Sequence, residues 1–438
     1  MSPTLAPAGT GAPAGPQPTR SAGTGGAVAD INGGAGLDTS GTLIDLRQTP
    51  AVVSATAGRD VAALLTDLET FWSRQLQGAF TTPSGGYLLT DTADVRAVSS
   101  GATASPGPTT SPTDVPAAPP TEPDTGAGPT ADYGCAGNAD TLRGNAFYCP
   151  GDDAIVIDAG ALVPVVRSSY GIGGLAAALA HEYGHLIQAR IGPTSAQQRD
   201  DPERYPQVRI EAPPECAAGA YRAWAAGASA VQGTARLHLP VAALPRSIST
   251  LVDFRDSATA PTSELFHGYG LDRLRAVVRG YQQGARSCAA LRVGDLDLTL
   301  GRAGTTAPSA TQRYPDPAAV AGAATAALDS FDPDAQGGAA RASAADLAAA
   351  EEIGQFAQGS ATVLAFGRHR MPTAADCYLG AFSRARYGHS AAGTLGSWRS
   401  DADEAMDLVI ARSTDSATGW AQITGFVTGF GGGLPACR

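Results

Sequence analysis

Leu175-Ala-Ala-Ala-Leu-Ala-His181-Glu182-Tyr183-Gly184-His185-Leu186-Ile187 is the stretch on which the reading of this chain turns. Its apolar residues recur at helical spacing, so it reads as a helix with a buried face. His181 and His185 then stand one turn apart on the same face, where two imidazoles can converge on one Zn2+. Glu182 lies about 100° further round the helix. That offset keeps it off the metal but beside a water held there, from which it can take a proton. The alternative is a pair of core histidines satisfied by hydrogen bonds.

Downstream residues separate the kinds of site. A third histidine of the metzincin kind needs Gly and His three and six residues after His185, and Gln188 and Ile191 stand there instead. A carboxylate is the other common third ligand. Glu211 and Glu215 form an i, i+4 acidic pair ahead of Cys216. In such a pair the first acid binds zinc and the second orients a ligating histidine from behind. Pro213 and Pro214 predict a helix beginning near Glu211, which puts that ligand in the first turn. Glu203 and Glu215 are rival ligands, and Glu211 also fits as an acid that stabilises a helix N-terminus.

The composition excludes several classes. The 438 residues carry a net charge of −11, and all 30 basic residues are Arg. A net negative chain is a poor nucleic-acid binder, and the absence of Lys removes Schiff-base and P-loop mechanisms. No apolar run approaches the roughly 20 residues that cross a bilayer, so no transmembrane segment is expected. The best stretch, Ile172 to Ala180, is short and rich in Gly and Ala. No apolar stretch precedes the first basic residue, Arg20, so no secretory signal is read.

Residues 1–50 are Ala, Gly, Pro, Thr and Ser with few large apolar groups, and read as a disordered leader or tether. A helix follows over 58–77, carrying Val61, Leu64, Leu65, Leu68, Phe71, Trp72 and Leu76, then a short strand from Gly86 to Leu89. Residues 100–132 are a low-complexity insert. Ala146–Cys149 and Ala154–Ile157 read as strands joined by Pro150-Gly151-Asp152-Asp153. The second is expected as an edge strand able to pair with an extended peptide, or as an ordinary core strand. Helical patterns cover 171–192, 214–227, 263–284, 316–330, 344–367, 373–386 and 400–412. The expected class is α+β with helix in excess.

Three blocks recur in order. Ile172 to His185 aligns on Ile353 to Phe366, Glu215 to Tyr221 on Asp376 to Phe382, and Arg279 to Cys288 on Thr428 to Cys437. An ordered set of this kind predicts a duplicated lobe, with a first lobe over 51–300 and a degenerate, mostly helical second lobe over 308–438. The repeat pairs Cys216 with Cys288 and Cys377 with Cys437, which leaves Cys135 with Cys149. Six cysteines allow fifteen connectivities, and three pairs of reduced buried thiols are the other reading. In the second copy His181, Glu182 and His185 become Thr362, Val363 and Phe366, and Glu211 falls on Pro372. The proposed chemistry is lost together, while Cys, Gly and aromatic positions persist. Glu215 keeps a carboxylate at Asp376, which fits a structural role such as helix capping.

HEYGH, then Glu211-x-x-x-Glu215-Cys216-x-Ala218-Gly219-x-Tyr221, then His267-Gly268 and Arg279-Gly280-Tyr281 to Cys288, resembles the neutral zinc metallopeptidase family of bacteria. The resemblance spans about 145–288. It departs at Glu215, where the family has Asp, and at the proline pair. It implies a zincin-type fold, one catalytic zinc and an envelope or extracellular setting. At the C-terminal offset of the repeat His267 falls on Ser416, so it is a candidate donor to an oxyanion, or else a surface or capping histidine. The expected function is zinc-dependent hydrolysis of peptide or protein substrates, with Glu182 as general base. The rival expectations are a non-catalytic envelope protein with a structural zinc and a zinc amidase acting on a non-peptide amide. The sequence specifies no oligomeric state.

Overall fold

The computed structural model describes residues 34–48, 54–92, 133–227, 234–255, 268–289, 291, 314–333, 341–387, 394–396, 399–414, 416 and 418–438. Its strands are β1 (Gly36–Leu37), β2 (Arg47–Gln48), β3 (Gly86–Thr90), β4 (Ala146–Cys149), β5 (Ala154–Asp158) and β6 (Leu237–His238). One sheet has the order β2-β3-β5-β4, and β1 pairs separately with β6. β2, β3 and β5 run parallel, and β4 runs antiparallel to β5. Alternation along the strands sends Tyr87, Leu89, Ile155 and Ile157 to the main core. Leu88 and Val156 face the other way, onto Leu142 and Cys149.

Of the two readings of β5 the core strand holds, because β3 pairs with its second side; among the described residues the sheet's edges are β2 and β4. One expectation changes. The presumed leader is ordered over 34–48. Its Leu37, Ile44 and Leu46 pack on the core, and β2 extends the sheet. These few apolar residues are spaced too irregularly to register as strand. Residues 1–33 and the insert 100–132 lie outside the described residues.

The described chain is rich in helix. α1 (Ala55–Leu76) buries Val61, Leu64, Leu65, Leu68, Phe71 and Trp72. α2 (Leu162–Ile191) starts earlier than its pattern predicts, because two helical pieces join at Gly171, whose φ is 70°. By length and composition α2 could cross a membrane, but 67% of its most apolar window is buried within the fold. It is apolar because it is packed on nearly every side. α3 (Gln207–Ala226) and α4 (Leu244–Asp253) pack on α2, and α5 (Gly270–Gln283) lies along α3 and touches α4.

A second group repeats those neighbours. α6 (Gln355–Arg370) packs on α7 (Ala375–Arg386) and on α8 (Arg399–Ser413), while α9 (Gly419–Gly432) lies along α7 and touches α8. α4 and α5 both pack against α8 and α9. The pattern expected as one helix over 344–367 is two, Ala344–Glu351 and α6. Between them the Glu404 carboxylate closes on Gly354 and accepts the Phe356 amide at 2.7 Å. α4 and α9 were not read from the sequence. α9 carries Trp420, Ile423, Phe426, Val427 and Phe430 at helical spacing, a signal diluted by five glycines.

Disulfides join Cys135 to Cys149, Cys216 to Cys288 and Cys377 to Cys437. Beside the last two the helices touch backbone to backbone. A Cβ on Gly219 would stand 2.0 Å from the Val277 carbonyl oxygen, and one on Gly280 would stand 1.8 Å from that of Cys216. Gly380 and Gly429 meet Phe426 and Cys377 in the same way, at 2.0 and 1.9 Å.

Candidate metal centre

α2 presents His181 and His185 on one face with ring centroids 4.9 Å apart and planes nearly perpendicular. α3 crosses against that face because Gly184 carries no side chain: a Cβ there would meet the Pro214 Cα at 2.5 Å. Contrary to the expectation of a helix beginning near Glu211, α3 begins at Gln207 and runs through Pro213 and Pro214. Pro214 has no N–H for the Ile210 carbonyl, and Gln188 Nε2 of α2 donates to that oxygen at 3.0 Å instead. Glu211 therefore sits in the second turn, 3% exposed.

Glu211 Oε2 lies 3.2 Å from His181 Nε2 and 3.3 Å from His185 Nε2. Gln207 Nε2 donates to the other oxygen, Oε1, at 2.7 Å, which orients the carboxylate. One donor atom from each of the three residues falls within a 4.8 Å group that could hold a metal ion. Ligand atoms about 2.0–2.1 Å from a tetrahedral ion stand about 3.3 Å from one another. Two neutral nitrogens and a carboxylate oxygen at that spacing fit a divalent cation with one coordination position left over.

Glu182 is near this group without belonging to it. Its Oε1 is 4.0 Å from His181 Nε2, and its Oε2 accepts the Tyr148 amide at 3.0 Å. Tyr148 is on the edge strand β4, and its hydroxyl donates to Asp153, which Arg190 of α2 also holds at 2.7 Å. The edge strand is thereby fastened to α2 at both ends of one residue.

Glu215 stands behind the group. Its Oε1 is 3.2 Å from His181 Nδ1, on the side away from Glu211. It is mid-helix and caps nothing, so the capping role expected for it does not hold. Arg273 of α5, itself buried, donates Nε to the same oxygen at 2.6 Å. Burial raises the Glu215 carboxyl, but Arg273 and His181 outweigh it and hold it below the usual carboxylate range. Burial likewise opposes a charged His181, yet Glu215, Glu211 and Glu182 push it up to about 10. The carboxylates make the position one that favours a cation.

The structure brings together His181, His185 and Glu211, with Glu182 and Glu215 on either side. Glu203 is exposed and apart from the group, and so are His238 and His369. His267 lies outside the described residues. Arg273 is the residue that sequence reasoning missed. At the C-terminal offset of the repeat it falls on Gln422, so it changes along with the histidines, and that change was the available signal.

No family model matches the chain, and no curated protein or solved structure matches it either.

Proposed function

We propose that the protein is a zinc metallopeptidase of the zincin kind, with His181, His185 and Glu211 as the metal ligands. The observation that carries the reading is the place of Glu182: a carboxylate beside a three-ligand group, held by an edge-strand amide and outside the ligand set. A closed structural zinc site has four protein ligands and no use for such a group. When bound, zinc supplies Lewis acidity toward a water and a scissile carbonyl. Glu182 takes the proton of that water and returns it to the leaving amine. Glu215 fixes the tautomer and the plane of His181 through Nδ1. Among the described residues no strand pairs with the outer side of β4, next to Glu182, and that side suits an extended peptide added as a further strand.

The family resemblance of HEYGH and the Glu211-to-Tyr221 block supports the same reading. The repeated helix neighbours, the two equivalent disulfides and the paired glycines Gly219/Gly280 and Gly380/Gly429 support a duplicated lobe over 308–438 that lost its ligands. Three disulfides favour an oxidising, extracellular or envelope setting.

The test is elemental analysis of wild type, Glu182→Ala and Glu211→Ala, with cleavage of a casein-type substrate and of a panel of non-peptide amides. One zinc per chain, kept without activity in Glu182→Ala and lost in Glu211→Ala, is the expected result. Wild type without zinc under non-chelating purification overturns the reading. Cleavage confined to the non-peptide amides makes the protein an amidase instead.

A further inference from the structure

The buried Arg273 has a second partner besides Glu215, and it leads away from the metal. Its Nη1 donates to the Phe254 carbonyl at the end of α4, at 2.8 Å. The next residue, Arg255, holds Asp407 of α8 in a two-point pair at 2.8 and 2.6 Å, and reaches Asp403 at 3.7 Å. Asp403 in turn accepts the amides of Gly270 and Leu271 at 2.9 Å each, at the first turn of the helix that carries Arg273. Two acids of the C-terminal half thus hold both supports of Arg273, the start of α5 and the end of α4. Gly270 is a point of close approach, since a Cβ there would meet Met406 Cε at 2.7 Å.

We infer that Asp403 and Asp407, acting through Arg255 and α5, are positioning residues for the metal centre. They set Arg273 against Glu215, and Glu215 against His181. The inference rests on the metal reading above and extends it: among the described residues the second half of the chain adds no ligand to the group, yet it fixes the geometry of the first half's site. A displaced α5 start carries Arg273 with it, frees Glu215, and releases the His181 ring from its orientation. Partners one step behind a ligand typically change metal affinity 10- to 100-fold when lost. Asp403 is further removed, and a coupled network of this kind corresponds to an effect of about tenfold.

The experiment uses the full chain as wild type, Asp403→Asn, Asp407→Asn and Arg412→Gln. Asparagine keeps the shape of Asp403 but turns an NH2 toward one of the two amides. Arg412 is on α8, as Asp403 is, and pairs with Asp346 and with Asp376 of α7; Arg412→Gln breaks those pairs and controls for general loss of stability. Zn2+ affinity is read by chelator competition, and ligand geometry by the visible spectrum of the Co2+-substituted protein. Asp403→Asn is expected to bind Zn2+ about tenfold more weakly with an altered Co2+ band. Arg412→Gln is expected to melt earlier with both readouts unchanged. If Asp403→Asn does not fold, Asp407→Asn is read by the same measures. Wild-type affinity and spectrum in the folded Asp variant overturn the inference, as does an equal loss in Arg412→Gln. Wild type that binds no Zn2+ overturns the proposed function itself, a separate result.

Discussion

Arg273 Nε donates to Glu215 Oε1 at 2.6 Å, with both side chains buried beneath His181. Such a pair is costly to assemble and costlier to break, because removal of one partner leaves the other charge buried and alone. Arg273→Ala is expected to lose about 3–5 kcal/mol of stability. Urea unfolding of the metal-free protein checks this.

The same contact predicts a graded effect on the metal. Glu215→Gln keeps the side chain's shape beside His181 Nδ1, 3.2 Å away, but loses the charge that strengthens the imidazole as a donor. Metal affinity is expected to fall about 10- to 100-fold, with the ion still bound at saturation. Chelator competition measures it. Unchanged affinity would mean that Glu215 serves packing alone.

The paired glycines yield a matched prediction in the two halves of the molecule. Gly219→Ala and Gly380→Ala each drive a methyl group into a neighbouring helix carbonyl, at 2.0 Å in both cases. Backbone has to move, so each substitution is expected to destabilise by about 1–3 kcal/mol or more. Gly322→Ala is the control, since nothing lies within 4 Å of its added Cβ. Thermal melts of the three variants settle the order.

Disulfide removal is expected to act chiefly through the unfolded chain. Cys216–Cys288 and Cys377–Cys437 close separations of 72 and 60 residues. Loop-closure entropy alone assigns each about 4 kcal/mol. Replacing both cysteines of the second pair by Ala is expected to lower the melting temperature while leaving the His181–His185–Glu211 group able to take up metal.

Asp403 yields a pH prediction with a definite sign. Burial, aided by Asp407, pushes its carboxyl up to about 6, against Arg255 and the amides of Gly270 and Leu271. In the unfolded chain an aspartate titrates near 3.8. The folded state binds the proton more tightly between those values, so this group's contribution to stability falls as pH rises through about 6. The melting-temperature difference between wild type and Asp403→Asn is expected to shift against wild type from pH 4 to pH 7. A flat difference would count against a raised Asp403.

The sequence alone determined the chemistry within single elements. His181, Glu182 and His185 share one helix, so their relation follows from the rise and turn of that helix. The ordered Cys and Gly blocks announced three disulfides whose pairing the structure bears out. α1, β4 and β5 were legible because each buries one regular face. What depends on how elements meet was not legible. The edge position fell to β4 because β3, whose residues lie 68 upstream of their β5 partners (Gly86 with Ala154), took the other side of β5. α3 continues through two prolines because Gln188, on another helix, supplies the missing donor. Arg273 supports the site only because α5 lies along α3, with Asp403 of α8 accepting the amides of its first turn. Local periodicity reports which face of an element is apolar. It carries no information on which distant carbonyl, carboxylate or guanidinium will meet the polar groups that remain, and tertiary packing alone decided that.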